Sequence, residues 1–335
     1  MGTTSSFFGG GGGGGVCPTF WFKSTCTGWT PTKDGCAVIH IIGAGAGVCT
    51  NSMNAGGAGG YIRYAAEFTT ADSPYCILVG LSNPTAGGCS FMCGGSPAWC
   101  MIAYGACCST GGNVSMSTTA NGANMTYSCG GNGAGGPGGG GAVGLFASPG
   151  GSGFNGGFGT NNGGGGGAGV GGAGGNGCCC NCNNRIIIGG GGGSEGPASS
   201  SVNMNDAYGT EFMIWSSPGS SLVTTPAEHQ KYFKFISQWG PGGSVQGTFP
   251  SQGCHGRHIV GTEPGQGGGG HGGGVNSSYN FAPQRGGAFS GGGGGGGGSY
   301  GGYPGGGGGG GTTCSARCYN VCGGNGAVIV EYIEV

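Results

Sequence analysis

The chain has 335 residues, of which 98 are glycine and only 6% are charged, and its formal net charge is -1. Ordinary globular proteins contain about 7% glycine, so this is a special class. Glycine enrichment without a collagen period commonly marks disorder, but disordered chains are polar and highly charged, whereas this one is 36% hydrophobic and 10% aromatic. Nine dispersed Lys and Arg residues give no basic cluster for phosphate, which excludes nucleic acid as a partner. No apolar run approaches the roughly 18 residues of a transmembrane helix, so no membrane insertion is expected.

Residues 1–35 read as an N-terminal attachment arm. Phe7 and Phe8 precede the run Gly9 to Gly15, and Phe20, Trp21 and Phe22 follow it. Aromatic anchors on either side of a flexible spacer are the expected attachment points to a partner protein. The start "MGTTSSFFGG" lacks the basic and apolar regions of a secretory signal. Its Met1-Gly2 with Ser6 fits a short and common myristoylation pattern.

Residues 36–335 read as one glycine-rich domain. "CAVIHII", Cys36 to Ile42, is a nearly continuous apolar run, as expected of a strand buried on both faces. In "YIRYAAEF", Ile62, Tyr64, Ala66 and Phe68 alternate with Tyr61, Arg63, Ala65 and Glu67, the period-two pattern of a half-buried strand. The turn residues "TTADSP" then lead into the returning strand "YCILVG". Segment 36–80, together with 327–335, is the expected β-structured base.

Segments 87–193 and 266–311 are glycine runs interrupted by short Cys, aromatic and Asn clusters, with no Gly-X-Y period. Ordering so much glycine is entropically costly, so the glycine backbone itself must be densely hydrogen-bonded if the protein is folded. Side-by-side three-residue-per-turn helices resembling polyproline II allow this. The expected class is therefore mostly β and irregular: short strands at both ends enclosing a bundle of polyglycine II helices, with one short α-helix. That helix is expected over 226–239 within an aromatic-rich insert, 195–265. Thr225 would cap it, Pro226 and Glu228 fit its first turn, and Gly240-Pro241 would end it. The chain closes with "GGNGAVIVEYIEV", a β-patterned tail expected to pair with "CAVIHII".

Chemistry-bearing motifs are sparse. Cys254, His255 and His258 in "CHGRH", and the thiols from Cys178 to Cys182 in "CCCNC", have donor atoms for zinc or iron but no second half at metal-site spacing. Cys314, Cys318 and Cys322 are four apart, which suits packing or a disulfide. No metal and no cofactor is expected. The 19 cysteines cannot be paired from sequence. Ten isolated carboxylates and five histidines give no acid/base pair or activated nucleophile, so no enzyme is expected. "GAGAGVCTNSMNAGGAGG" lacks the βαβ context of a dinucleotide loop.

Taken in order, "AVIHIIGAGAG", "GGAGGYIRYAAEF", "DSPYCILVG" and "GGNGAVIVEY" resemble the glycine-rich domain of bacteriophage tail-fibre and tail-tip adhesin proteins. The resemblance covers residues 36–80 and the last dozen residues; between them it is one of composition. It implies a structural virion protein of the tail or fibre, assembled in the host cytoplasm, that binds other virion proteins and recognises a host-surface glycan or outer-membrane protein. A homotrimer is consistent with such proteins. On that reading Phe154, Phe158, Tyr300 and Tyr303, aromatics set in glycine loops, are the candidate receptor contacts. The alternative is a cysteine- and glycine-rich structural or ice-binding protein built of the same helices. Ice binding would call for a regular Gly-X-X period and a secretion signal, neither of which is present.

Overall fold

The computed structural model describes residues 5–7, 19–47, 54–117, 125–134, 140–141, 300–309 and 321–334, with short strands and single positions between 162 and 293. Two antiparallel sheets form the body. The first is built from β1 (Ser5–Phe7), β2 (Thr19–Phe22), β4 (Gly35–Ile42), β5 (Tyr61–Phe68), β10 (Met125–Ser128) and the closing strand β20 (Ala327–Glu334), in the order β1-β2-β20-β4-β5-β10. The second runs β3-β6-β7-β8-β9, from β3 (Cys26–Trp29), β6 (Tyr75–Leu78), β7 (Ser90–Gly94), β8 (Trp99–Ala103) and β9 (Val114–Met116). The remaining strands lie in smaller sheets: β11 (Asn162–Gly163) with β18 (Gly274–Val275) and β19 (Asn280–Phe281); β12 (Cys178–Cys180) with β13 (Arg185–Ile187); and β14 (Asp206–Ala207), β15 (Glu211–Trp215), β16 (Ser244–Pro250) and β17 (Ile259–Thr262).

The alternation along each strand sets the core. Ala37, Ile39 and Ile41 of β4, Ile62, Tyr64 and Phe68 of β5, and Val328, Val330 and Tyr332 of β20 face Trp29, Tyr75, Ile77, Met92, Met101 and Ala103 of the second sheet. One end of this sandwich is plugged by aromatic rings. Trp29 meets Phe68 edge-on with centroids 5.6 Å apart, Phe68 meets Tyr75 at 5.3 Å, and Tyr75 meets Trp99 at 5.3 Å, spacings at which ring edges and faces attract. The Tyr332 hydroxyl donates to the Lys33 carbonyl at 3.0 Å and fastens the closing strand there. β20 lies between β2 and β4, with Ala327 opposite Ile42 and Val330 opposite Ile39, so the tail is a central strand.

At the other end, strands of both sheets run into glycine segments. β4 continues into 43–47, β6 into 80–88, β8 into 104–112 and β10 into 130–134, while 54–60 feeds β5 and 321–326 feeds β20. These segments hydrogen-bond to one another in several directions. Along 54–60, Ala55 and Ala58 donate to Ala134 and Gly131, Gly56 and Gly59 to Gly308 and Gly305, and Gly57 and Gly60 to Cys108 and Tyr104, all at 2.8 to 3.0 Å. The direction repeats every third residue. The same segment accepts from Gly43, Ala46, Gly112 and Gly141, so every N–H from Ala55 to Gly60 and the carbonyls of Gly56, Gly57, Ala58 and Gly60 are matched. Such close spacing requires glycine. A Cβ at Gly59 would collide with the carbonyl of Gly43, and one at Gly56 with the carbonyls of Ala46 and Gly47.

The expected class is thereby corrected. The regular elements among the described residues are all strands, with two antiparallel sheets forming the body and no helix, in place of short strands at both ends enclosing a bundle of polyglycine II helices with one short α-helix. Strands are also not confined to the ends, since β7, β8, β9 and β10 all fall within 87–193, a segment expected to be bundle and loops. The reason is physical: Met92 and Met101 fill the core while Cys93 and Cys100 alternate with them, and neither residue type advertises a strand. The helix expected over 226–239 lies outside the described residues. The segment 19–29, read as part of the arm, contributes one strand to each sheet.

Candidate functional site

β2 separates its side chains by face. Phe20 and Phe22 turn inward, each meeting Trp29 edge-on at centroid distances of 5.6 and 5.7 Å, and Phe22 is buried. Trp21 turns to the opposite face and is buried there beneath Tyr303. The two rings are stacked at 17°, with centroids 6.1 Å apart, and Trp21 Nε1 donates to the Tyr303 hydroxyl at 2.9 Å. Two residues on, exposed Lys23 places its Nζ 5.5 Å from the Trp21 ring and 6.0 Å from the Tyr303 ring, within cation–π range. Burial pushes the Tyr303 phenol up to about 12 against the opposing effect of the Trp21 hydrogen bond. It therefore remains a neutral hydroxyl at physiological pH.

The segment carrying Tyr303 is held by the glycine network. Gly307 and Gly308 donate to Gly141 and Ala46, Gly305 and Gly308 accept from Gly59 and Gly56, and Gly305 donates to Asn325. Before Tyr303, Gly301 donates to Cys322 and Gly302 accepts from Gly306, so backbone on both sides of the ring is hydrogen-bonded. Tyr300, in the same stretch, is 54% exposed. The surface at this junction of sheet and glycine network offers a half-buried phenol and an ammonium, with the exposed phenol of Tyr300 three residues earlier in the chain. That set suits stacking on a flat apolar face, hydrogen bonding to hydroxyls and attraction of an anion.

The structure thus joins two predicted sites that the sequence keeps apart, Trp21 from the arm and Tyr303 from the receptor-contact set. Phe7 lies in β1, while Phe8, Phe154 and Phe158 lie outside the described residues. Lys23 was missed. No sequence signal could have found it, because its ring partner Tyr303 is 280 positions away. Exposed Leu81, Tyr104 and Tyr127 were also missed.

A second cluster lies on the outward face of the first sheet. His40 is fully buried, with Nδ1 2.8 Å from the Tyr61 hydroxyl and Nε2 3.7 Å from a Glu331 carboxylate oxygen. The latter distance is beyond hydrogen-bond reach, and the contact becomes an ion pair only when the imidazole is protonated. Desolvation pushes the imidazole below its ordinary range, against the pull of Glu331. His40 is opposite Arg63 in the β4–β5 register. We read this buried arrangement as structural.

Among the described residues no group of three or more His, Cys, Asp or Glu side chains is placed to hold a metal ion. Cys254, His255, His258, Cys314 and Cys318 lie outside them, and Cys178–Cys180 form β12. No helix among the described residues is long and apolar enough to cross a membrane. No protein-family model matches the chain and no curated protein matches it, so the functional reading rests on its own residues.

Proposed function

We propose that this chain is a non-enzymatic structural virion protein of a bacteriophage, a tail-fibre or tail-tip component that contacts the host surface. The reading begins with the ordered resemblance of its motifs to glycine-rich tail adhesins. The observation that carries it to a site is the Trp21–Tyr303 stack beside Lys23, held by hydrogen-bonded backbone with Tyr300 exposed close by in sequence. A rigid aromatic platform loses little conformational freedom on binding, and rigidity of this kind favours affinity. A host-surface glycan or an outer-membrane protein is the receptor class, and other tail proteins are the partners within the virion.

The test is adsorption of phage carrying Tyr300→Ala together with Lys23→Ala. Both residues are exposed, so the fold is expected to survive. Loss of about 1.4 kcal/mol of contact energy corresponds to a tenfold weaker affinity, and adsorption should fall accordingly. Unchanged adsorption by particles shown to contain the variant would remove the host-contact assignment. Absence of the chain from purified particles would remove the virion assignment.

A further inference from the structure

Three cysteines stand side by side on the outward face of the second sheet. Cys76 of β6 is opposite Cys93 of β7, and Cys93 is opposite Cys100 of β8. Ile77, Met92 and Met101, one position along in the same ladders, fill the core, so the three sulfurs share the other face. Cys93 and Cys100 are joined as a disulfide with Cα atoms 4.0 Å apart, while Cys76 is a half-buried free thiol.

Hydrogen bonding shows how the row is spaced. The backbone N–H of Cys100 donates to Ser117 Oγ and its carbonyl accepts from the Ser117 N–H. The backbone of Cys100 therefore points away from β7, and Cys93 and Cys100 form a non-hydrogen-bonded pair, the closer kind. Along an antiparallel strand the backbone groups of one residue point to one side, so those of Cys93 point toward β6. Cys76 and Cys93 then form a hydrogen-bonded pair, whose Cα atoms stand about 5.5 Å apart, within the span of about 4.4–6.8 Å that a disulfide bridges.

We propose that Cys76, Cys93 and Cys100 form a thiol–disulfide exchange site in which one disulfide moves between two positions. The Cys76 thiolate attacks the Cys93 sulfur, the Cys76–Cys93 bond forms, the Cys93–Cys100 bond breaks, and Cys100 leaves as a thiolate that takes up a proton. One disulfide and one thiol are present before and after, so no external oxidant or reductant is consumed. The exchange moves the covalent staple from β7–β8 to β6–β7 and changes which sulfur is available to a disulfide-bearing partner.

Cleavage after methionine in acid, where exchange is halted, separates the two states. Met92 and Met101 bracket a fragment holding both Cys93 and Cys100, whereas Cys76 lies in the fragment from 54 to 92. In a Cys100→Ser variant folded in a glutathione redox buffer, the expected product is the 54–92 fragment linked to 93–101, with tandem mass spectrometry placing the bond at Cys76. Alkylation of both Cys76 and Cys93 in that variant, or a bond from Cys89 instead, would overturn the proposal. The wild-type chain supplies a second measurement free of folding effects. Prolonged incubation with iodoacetamide at pH 8 should accumulate chains labelled on Cys100 and bonded Cys76–Cys93. Label on Cys76 alone with the Cys93–Cys100 loop intact would equally overturn it.

Discussion

The sandwich and the glycine network meet end to end but hold together by opposite means. In the sandwich, side chains do the work: Phe68, Tyr75 and Trp29 interlock, and β4, β5 and β20 bury continuous rows of Ile, Val and Tyr. In the network there is almost nothing but backbone. Segment 54–60 spends every donor from Ala55 to Gly60 on a neighbouring segment, and its glycines lie so close to other main chains that a methyl group has no room. A core made of side chains tolerates volume-conserving exchange. A core made of peptide groups tolerates no added volume where chains touch.

The contrast can be broken from either side. Phe68→Ala removes a fully buried ring from the aromatic plug and should cost about 3–5 kcal/mol, read as a fall in the denaturation midpoint. Gly59→Ala works in the reverse sense, since adding one methyl forces 54–60 away from 43–47. The expected loss is about 1–3 kcal/mol or more. Ala58→Gly, one position earlier, should cost only about 0.5–1 kcal/mol, and equal effects at 58 and 59 would show that the segments are not in contact. These values are best read by chemical denaturation of the same preparation.

A smaller effect is expected from His40. Its folded-state pKa is lowered by burial, so below about pH 6.5 the unfolded chain binds a proton that the folded chain refuses. Stability should be full above that pH and fall on acidification, by at most about 1.4 kcal/mol per pH unit. Among the described residues, Tyr61, Glu331 and Arg63 stand beside the imidazole. A His40→Gln variant should show a flatter profile between pH 7.5 and 5, and an unchanged profile would contradict the assignment.

Legibility in the sequence followed the same division. β4, β5 and β20 announce themselves because their inward residues, Ile39, Ile62 and Val330 among them, recur with period two or fill a run. β7 and β8 do not, because Cys and Met carry little strand preference and their alternation is hidden among glycines. The neighbours of 54–60 were beyond reach for a deeper reason: a glycine looks the same from every side and encodes no partner. Trp21 was legible as an aromatic in the arm, but its stacking on Tyr303 depends on β20 drawing the two ends of the chain together. Receptor-contact candidates chosen for being aromatics among glycines divided accordingly. Tyr300 is exposed, whereas Tyr303 is half-buried.

The central claim is that glycine backbone, hydrogen-bonded segment to segment, is as much a folded core as the sandwich beside it. Hydrogen exchange resolved along the chain tests this most directly. The amides of Ala55 to Gly60 should exchange slowly, with protection approaching that of β4 and β20. Exchange of 55–60 at the rate of an unstructured peptide, while β4 and β20 remain protected, would contradict it.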